Sequence, residues 1–194
     1  MTDAAGRFLY VQDLGSVYAF SINSGSGALT LLQTAAGPSA GSGIALDPSG
    51  SYLYAVGAGT NFILTYSVDA NSGLLTQTES SPMAERNGAY TITISPTGHF
   101  AYTIENNNYL VSYAFSNGLF SPVGTVFSGI FGEQIGIDPS GSFVYVPQAC
   151  SFCPTGVYNV VNEFQIGSTG ALTKLPSSPV AAGVTPWGIT ITAQ

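Results

Sequence analysis

The stretch DPSGSYLYAVG, residues 47–57, reads as a turn followed by a strand, and it decides the fold because the chain repeats it. A close copy, DPSGSFVYVPQ, begins at Asp138, and looser copies of the turn are DAAG at Asp3 and SPTG at Ser95. These four anchors are 44, 48 and 43 residues apart, and each turn ends in glycine, which adopts positive φ at low cost. Self-similarity at such a period predicts a repeat architecture.

The strand after each turn has the same pattern in all four units. The residue five positions after the anchor is aromatic and the residue seven positions after it is tyrosine, as in Tyr52 and Tyr54. A spacing of two places both side chains on one face of a strand. The other face is apolar as well, at Leu9, Leu53, Ala101 and Val144. Strands that are apolar on both faces require a cover on both faces.

Each unit contains four predicted strands in about 45 residues and no helical periodicity. Four-stranded units of this period, stacked face to face, are typical of β-propeller blades. We therefore predict an all-β fold, a β-propeller array of four four-stranded blades per chain. The predicted blades cover residues about 3–46, 47–94, 95–137 and 138–186, and the segment 187–194 is an additional innermost strand.

The first unit begins too late to contain an innermost strand. The C-terminal sequence WGITITAQ, in contrast, has the pattern of an innermost strand but no following strands to complete a unit. Ile189 and Ile191 match the innermost-strand residues Ile44 and Leu46 of the second unit. Three closures follow: a four-bladed ring within one chain, an eight-bladed ring made by a homodimer that exchanges these strands, or a part of a larger ring.

Composition excludes several classes of function. Three Lys and Arg residues and a net charge of -7 are incompatible with the cationic surface that binds nucleic acid. No apolar run approaches the roughly 20 residues that span a bilayer, so we expect no membrane insertion. We expect no metal and no cofactor, since the sequence contains one histidine and two cysteines, too few for a zinc site, and no phosphate-binding loop before a helix.

The two cysteines, Cys150 and Cys153, form a CxxC pair. A disulfide that closes this loop is the preferred interpretation, with free thiols or redox chemistry as alternatives. A chain rich in Ser, Thr and Asn with such a disulfide indicates an extracellular or cell-surface protein, although the N-terminus lacks a signal-peptide pattern and a cytoplasmic location stays open.

The segments DPSGSYLYAVG and SPTGHFAYTIENN resemble the repeats of the propeller lactonases, the 6-phosphogluconolactonase-like family, and the related YVTN repeats of surface proteins. The resemblance extends over nearly the whole chain. It implies rings that usually have seven blades and, in hydrolytic members, a Pro-Arg-His sequence before the innermost strand. The matching triplets here contain neither Arg nor His: Gly41-Ser42-Gly43, Ala89-Tyr90-Thr91, Gly132-Glu133-Gln134 and Pro186-Trp187-Gly188.

The loops after the second and fourth strands of each unit are expected to meet at one face, where a carboxylate, an arginine and amides can orient a small polar or carbohydrate ligand. The candidate ligand-binding residues at this face are Glu85, Arg86, Glu105, Asn106, Glu133, Gln134 and Trp187.

Two functions follow from these residues. Because the triplets that match Pro-Arg-His contain neither Arg nor His, the first hypothesis is a lactonase-like propeller without catalysis, which acts as a secreted or surface binding or structural module. The alternative is a lactonase or related hydrolase that acts on a sugar lactone or a similar small polar substrate, with Glu105, Arg86 and Glu133 at its site together with a metal or a water molecule.

Overall fold

The structure is a computed structural model, and it describes residues 1–78, 83–84, 87–106, 108–116, 119–127, 132, 134–149, 159–184 and 186–192. These residues form antiparallel β-sheets and no helix. The prediction of an all-β fold is confirmed. Among the residues described, no helix is long and apolar enough to cross a membrane.

The described residues contain seventeen strands in four sheets, which follow one another along the chain. The first sheet has the order β1-β2-β3 and consists of Phe8–Gln12, Ser16–Ile22 and Leu29–Ala36. The second has the order β4-β5-β6-β7, with β8 paired to β6, and consists of Gly41–Leu46, Tyr52–Gly57, Phe62–Val68, Leu75–Gln77 and Met83–Ala84. The third has the order β12-β11-β10-β9, with β9 at Ala89–Ile94, β10 at Phe100–Glu105, β11 at Tyr109–Ser116 and β12 at Leu119–Phe127. The fourth has the order β13-β14-β15-β16, with β17 paired to β15, and consists of Gly136–Ile137, Phe143–Gln148, Val160–Ile166, Leu172–Lys174 and Val180–Ala181.

The third sheet has the four predicted strands, and the first has three, as expected for a unit that begins too late to contain an innermost strand. The second and fourth sheets require a correction. The second and fourth sheets contain five strands because their outer strands are short: β7 pairs only with Tyr66–Val68 of β6, and β16 only with Phe164–Ile166 of β15. The free N-terminal parts of β6 and β15 pair instead with the two-residue strands β8 and β17.

The first sheet has three strands, and the beginning of the chain partly occupies the place of a fourth. Thr2 forms an isolated antiparallel bridge with Leu9. The amine of Met1 donates to the carbonyl of Tyr10 at 2.9 Å, and the Tyr10 N–H donates to the Met1 carbonyl at 2.8 Å.

The repeated turn is held in the same way in each unit, because its first residue caps the strand that follows. In the second unit Asp47 Oδ1 accepts from the Tyr52 N–H at 2.7 Å, while the Gly50 N–H donates to the Asp47 carbonyl at 2.9 Å. Gly50 has φ 72°, in the left-handed region that favours glycine. Ser95 caps the third unit with its hydroxyl, which accepts from the Phe100 N–H at 3.1 Å.

The repeated aromatic columns join the first sheet to the second and the third sheet to the fourth. Tyr10 of the first sheet donates its hydroxyl to the Gly73 carbonyl in the second sheet at 3.1 Å, and Tyr102 donates to the Gly170 carbonyl at 3.1 Å. A Cβ built on Gly73 would lie 2.4 Å from Phe8 Cδ1. Thus the aromatic ring of one sheet packs directly on a hairpin glycine of the next.

Contacts divide the chain into two compact units, Met1–Ile92 with Asn117–Leu119 and Thr93–Ser116 with Phe120–Gln194. In the first unit one buried cluster joins the first and second sheets, around Tyr10, Leu53 and Tyr66. In the second unit another joins the third and fourth sheets, around Tyr102, Val144 and Phe164. Each unit therefore has its own apolar core between two sheets.

Candidate functional site

The candidate site lies in the second compact unit, at the ends of β10 and β14, where the repeated strand terminates in a polar residue. Glu105 ends β10 and Gln148 ends β14. A Cβ built on Gly132 would lie 2.8 Å from the Pro147 carbonyl oxygen and 3.3 Å from Ile104 Cδ1. Gly132 therefore lies against the residues that precede Gln148 and Glu105, and it brings the segment before β13 to the same end of the sheets.

Glu105 is a buried carboxylate, with 1% of its surface exposed. The Tyr113 hydroxyl, itself buried on the neighbouring strand β11, donates to Glu105 Oε1 at 3.1 Å. The hairpin between the two strands closes tightly because the Asn108 N–H donates to the Glu105 carbonyl at 2.8 Å and Asn108 adopts φ 60°. Hydrogen bonds of this kind offset the free-energy cost of burying a carboxylate and fix its orientation.

The corresponding position of the fourth sheet has an amide pair. Gln148 Oε1 accepts from Asn162 Nδ2 at 2.7 Å, and both residues are buried. Thr103, on the same strand face as Glu105, adds a buried hydroxyl for which the part of the chain described offers no hydrogen-bond partner. These strand ends therefore contain buried polar side chains, whereas the core between the two sheets is apolar.

Gln134 contacts the C-terminal segment. Its Oε1 accepts from the Ile189 N–H at 3.0 Å, and a Cβ built on Gly188 would lie 3.5 Å from the same oxygen. Trp187, the preceding residue, is 54% exposed. Gln134 thus contacts the segment to which Trp187, another predicted residue, belongs.

Several predicted residues lie outside the described residues, namely Glu85, Arg86, Glu133, Cys150 and Cys153. Their roles, including the disulfide, stay predictions. Asn106, directly after Glu105, is half-buried. No contact joins Glu105 or Asn106 to Gln134 or Trp187 among the hydrogen bonds of the described part of the chain.

Two cavities lie in the first unit and contain none of the predicted residues. A cavity of 390 Å³ is lined by Arg7, Asp47 and the surrounding turns, and a smaller one of 260 Å³ is lined by Tyr10–Gln12 and Gly41–Ile44. In the larger cavity the carboxylates of Asp3 and Asp47 both cap their own turns, and no carboxylate lines the smaller cavity. Among the residues described there is no cluster of three or more His, Cys, Asp or Glu side chains that could hold a metal ion.

Sequence reasoning missed Tyr113, Gln148 and Asn162 as members of the polar strand ends. Gln148 occupies the same repeat position as Glu105, so the repeat alignment could have found it. Tyr113 belongs to a repeat column of aromatic core residues. Nothing in its sequence position shows that its hydroxyl, rather than its ring alone, has a specific contact.

Antiparallel sheets built from one repeated sequence unit of about 45 residues are typical of a β-propeller protein. Residues 43–193 match the family model described as Lactonase, 7-bladed beta-propeller. Because this match covers most of the chain, the chain belongs to that lactonase family, as its resemblance predicted.

Solved structures agree on the fold. A putative 6-phosphogluconolactonase from Bacteroides uniformis is 14% identical with a TM-score of 0.68, over 99% of this chain and 74% of that one. The periplasmic gluconolactonase of Pseudomonas aeruginosa is 20% identical with a TM-score of 0.75, over 95% of this chain and 57% of that one. A Lactobacillus plantarum protein is 24% identical with a TM-score of 0.72, over 91% of this chain and 54% of that one. The chain thus spans between about half and three quarters of these proteins' lengths. No curated protein sequence matches it.

Proposed function

We propose that this chain belongs to a propeller that hydrolyses a sugar lactone, the second of the two functions that the sequence predicts. The observation that supports it most directly is the match to the lactonase family over residues 43–193. Structural neighbours described as a gluconolactonase and a 6-phosphogluconolactonase point to the same substrate class. The hypothesis of a module without catalysis has no comparable support.

Within the described residues, Glu105 is the best candidate for a general base. In lactone hydrolysis the oxygen of water bonds to the carbonyl carbon, the ring C–O bond breaks, and the ring oxygen leaves as a hydroxyl group. A carboxylate that accepts the proton of the attacking water speeds such a step. The hydroxyl of Tyr113, 3.1 Å from Glu105 Oε1, holds the carboxylate in place.

The burial of Glu105 is consistent with this role. With 1% of its surface exposed, the carboxylate is shielded from bulk solvent, which keeps its orientation fixed. Asn106, half-buried beside it, has a side-chain amide of the kind that binds substrate hydroxyl groups.

The test is to follow the acid released from gluconolactone at constant pH, with spontaneous hydrolysis subtracted. We expect Glu105→Gln to lower kcat by about 100-fold to 10,000-fold, the range that a general base contributes. Glu163→Gln is the matched control, because Glu163 lies half-buried on β15, where it accepts from Ser177, and should leave kcat unchanged.

Tyr113→Phe tests the positioning of Glu105 separately from its role as general base, because this substitution removes the hydroxyl that binds the carboxylate and keeps the ring. We expect a loss in kcat smaller than that of Glu105→Gln. If wild-type protein does not exceed the spontaneous rate, or if Glu105→Gln is as active as wild type, the assignment of Glu105 as general base is wrong.

A further inference from the structure

Thr103 is a buried residue two positions before Glu105 on β10, and its hydroxyl has no hydrogen-bond partner in the described part of the chain. At the same repeat position, eight residues after the turn anchor, the other units have Val11, Ala55 and Val146. An apolar side chain therefore satisfies the packing of the strand at this position. A buried hydroxyl that nothing binds lowers stability, so packing does not explain why the third unit has one.

The pairing register places Thr103 next to the hydrogen bond between Tyr113 and Glu105. Tyr113 pairs with Ala101, whereas Glu105 lies four residues further along β10 on the same face. Four residues of a strand span about 13 Å. Because the Tyr113 hydroxyl nevertheless lies 3.1 Å from Glu105 Oε1, the two side chains extend towards each other along the strand. They meet above the row between them, which consists of Thr103 and Val111.

The surroundings of Thr103 on this face are otherwise apolar. Val111, its partner across the strands, and Ala101, two residues before it, are buried in one cluster with the ring of Tyr113. The polar groups that the register brings to Thr103 are thus the Glu105 carboxylate and the hydroxyl that binds it.

The two protonation states of Glu105 place different demands on its neighbours. A carboxylate only accepts hydrogen bonds, and the Tyr113 hydroxyl donates to it in the structure. Once Glu105 has taken a proton from water, it is a carboxylic acid with one O–H donor, and in a buried site that donor requires an acceptor. A hydroxyl oxygen accepts as well as donates, so Thr103 can supply this acceptor.

We propose that Thr103 is a positioning residue for the general base, and that its hydroxyl oxygen accepts a hydrogen bond from the protonated form of Glu105. The bond holds the carboxylic acid in place until its proton passes to the ring oxygen that leaves. This role rests on the proposed lactone hydrolysis, in which Glu105 takes the proton of the attacking water. Because the bond forms only as the proton moves, it acts on kcat rather than on KM.

Stability measurements test the contact without an enzyme assay. Glu105→Gln replaces the carboxylate by an amide, whose N–H group can donate to Thr103 as the protonated acid does. In this background we expect Thr103→Val to lower the urea midpoint, because it removes the acceptor. In wild-type protein at neutral pH the same substitution removes an unpaired hydroxyl and keeps the shape, so we expect an unchanged or higher midpoint.

Ser112→Ala is the matched control. The Ser112 hydroxyl is also buried without a partner among the described residues, but Ser112 pairs with Tyr102 and so lies on the opposite face from Glu105. This substitution should shift the urea midpoint equally in the wild-type and Glu105→Gln backgrounds.

Kinetics gives a second readout. We expect Thr103→Val to lower kcat for gluconolactone by roughly tenfold, the effect of one hydrogen bond, and to leave KM unchanged. Thr103→Ser should restore kcat because it keeps the hydroxyl.

A midpoint shift of Thr103→Val that is equal in both backgrounds, or a loss that is larger in wild type, would overturn the proposal, as would a Thr103→Val variant with the kcat of wild type. Absence of hydrolysis by wild-type protein would instead contradict the proposed function. The midpoints would then still decide whether Thr103 accepts a hydrogen bond from residue 105.

Discussion

Gly27 and Gly73 occupy the same place in the hairpins of the first two sheets, and they show how one repeated residue acquires different tasks. Each N–H donates to the carbonyl four residues earlier at 2.8 Å, and their φ values are 71° and 72°. Open space surrounds the position of a Cβ on Gly27, whereas on Gly73 it would lie 2.4 Å from the ring of Phe8. Conformation alone requires glycine at the first site, and conformation and contact require it at the second.

Alanine at these two positions separates the two requirements. We expect Gly27→Ala to lower the free energy of unfolding by about 1 kcal/mol, the cost of a left-handed alanine. Gly73→Ala adds overpacking against Phe8, so we expect a loss of about 2 to 4 kcal/mol. Urea denaturation measures both, and equal losses would show that the ring of Phe8 moves aside without cost.

The sequence predicts the glycine turns but not their contacts. GLLT, which begins at Gly73, is recognisable as a hairpin because it recurs. The ring that packs on Gly73 is 65 residues away, and only the stacking of two sheets brings it there. Likewise the bond from Tyr113 to Glu105 depends on the register of β10 and β11, which the composition of neither strand specifies.

At the scale of the element, each repeated turn is a strand cap whose chemistry depends on its first residue. Asp138 Oδ1 accepts from the N–H groups of Phe143 at 2.6 Å and Ser142 at 2.8 Å, and its Oδ2 accepts from Ser140. Partial burial acts to raise the pKa of Asp138, but the hydrogen bonds from Ser140, Phe143 and Ser142 outweigh it and lower the pKa below 3.8.

This lowered pKa predicts a pH dependence. A carboxyl group whose folded pKa is below its unfolded value stabilises the fold above the unfolded pKa, and this contribution is lost as the pH falls through the folded pKa. Asp138→Asn should therefore be less stable than wild type at neutral pH, and the difference should shrink towards about pH 3.

The control for this prediction is Ser95→Ala, which removes a cap that does not titrate. Its cost, about 1 kcal/mol for a lost capping bond, should be the same at both pH values. Denaturant midpoints measured at each pH decide the matter, and a cost of Asp138→Asn that does not vary with pH would contradict the assignment.

The long strands of each sheet could be predicted because their two-residue periodicity repeats four times. The short strands β8 and β17 could not, since two residues have no periodicity. Their existence depends on how much of β6 and β15 the outer strands leave uncovered.

At the scale of the whole molecule, charge limits the substrates that the proposed activity accepts. The net charge is -7, and the three basic residues are Arg7, Arg86 and Lys174. Arg7 is engaged with Asp3 at 3.3 Å and with the Ala70 carbonyl at 3.0 Å, and Lys174 lies on the outer strand β16. Tight binding of a phosphate group ordinarily requires such cations.

We therefore expect a preference for neutral over phosphorylated sugar lactones. The kcat/KM for gluconolactone should exceed that for its 6-phosphate by about tenfold or more, which corresponds to about 1.4 kcal/mol. Added salt should narrow the gap, because screening weakens repulsion. A higher kcat/KM for the phosphorylated lactone would assign a phosphate-binding role to Arg86, and Arg86→Ala would test that role.

The family and the stacked β-units could be predicted from sequence because every repeat contributes the same columns. The site could be predicted only in part. Glu105 and Asn106, Gln134, and Trp187 belong to three separate loops or strand ends, and the distances between these depend on the packing of the sheets. A sequence that places them on one face does not determine which of them touch.

The packing of Phe8 on Gly73, and of Phe100 on Gly170, has a consequence for how the number of repeats changes in evolution. In sequence each repeat contains both an aromatic residue five positions after its anchor and a hairpin glycine of the kind that receives such a ring. A gene segment that encodes one whole repeat therefore brings both halves of its joints, and duplication lengthens the array without any new contact having to evolve. Partial duplications lack one half, so changes in length are expected in whole repeats.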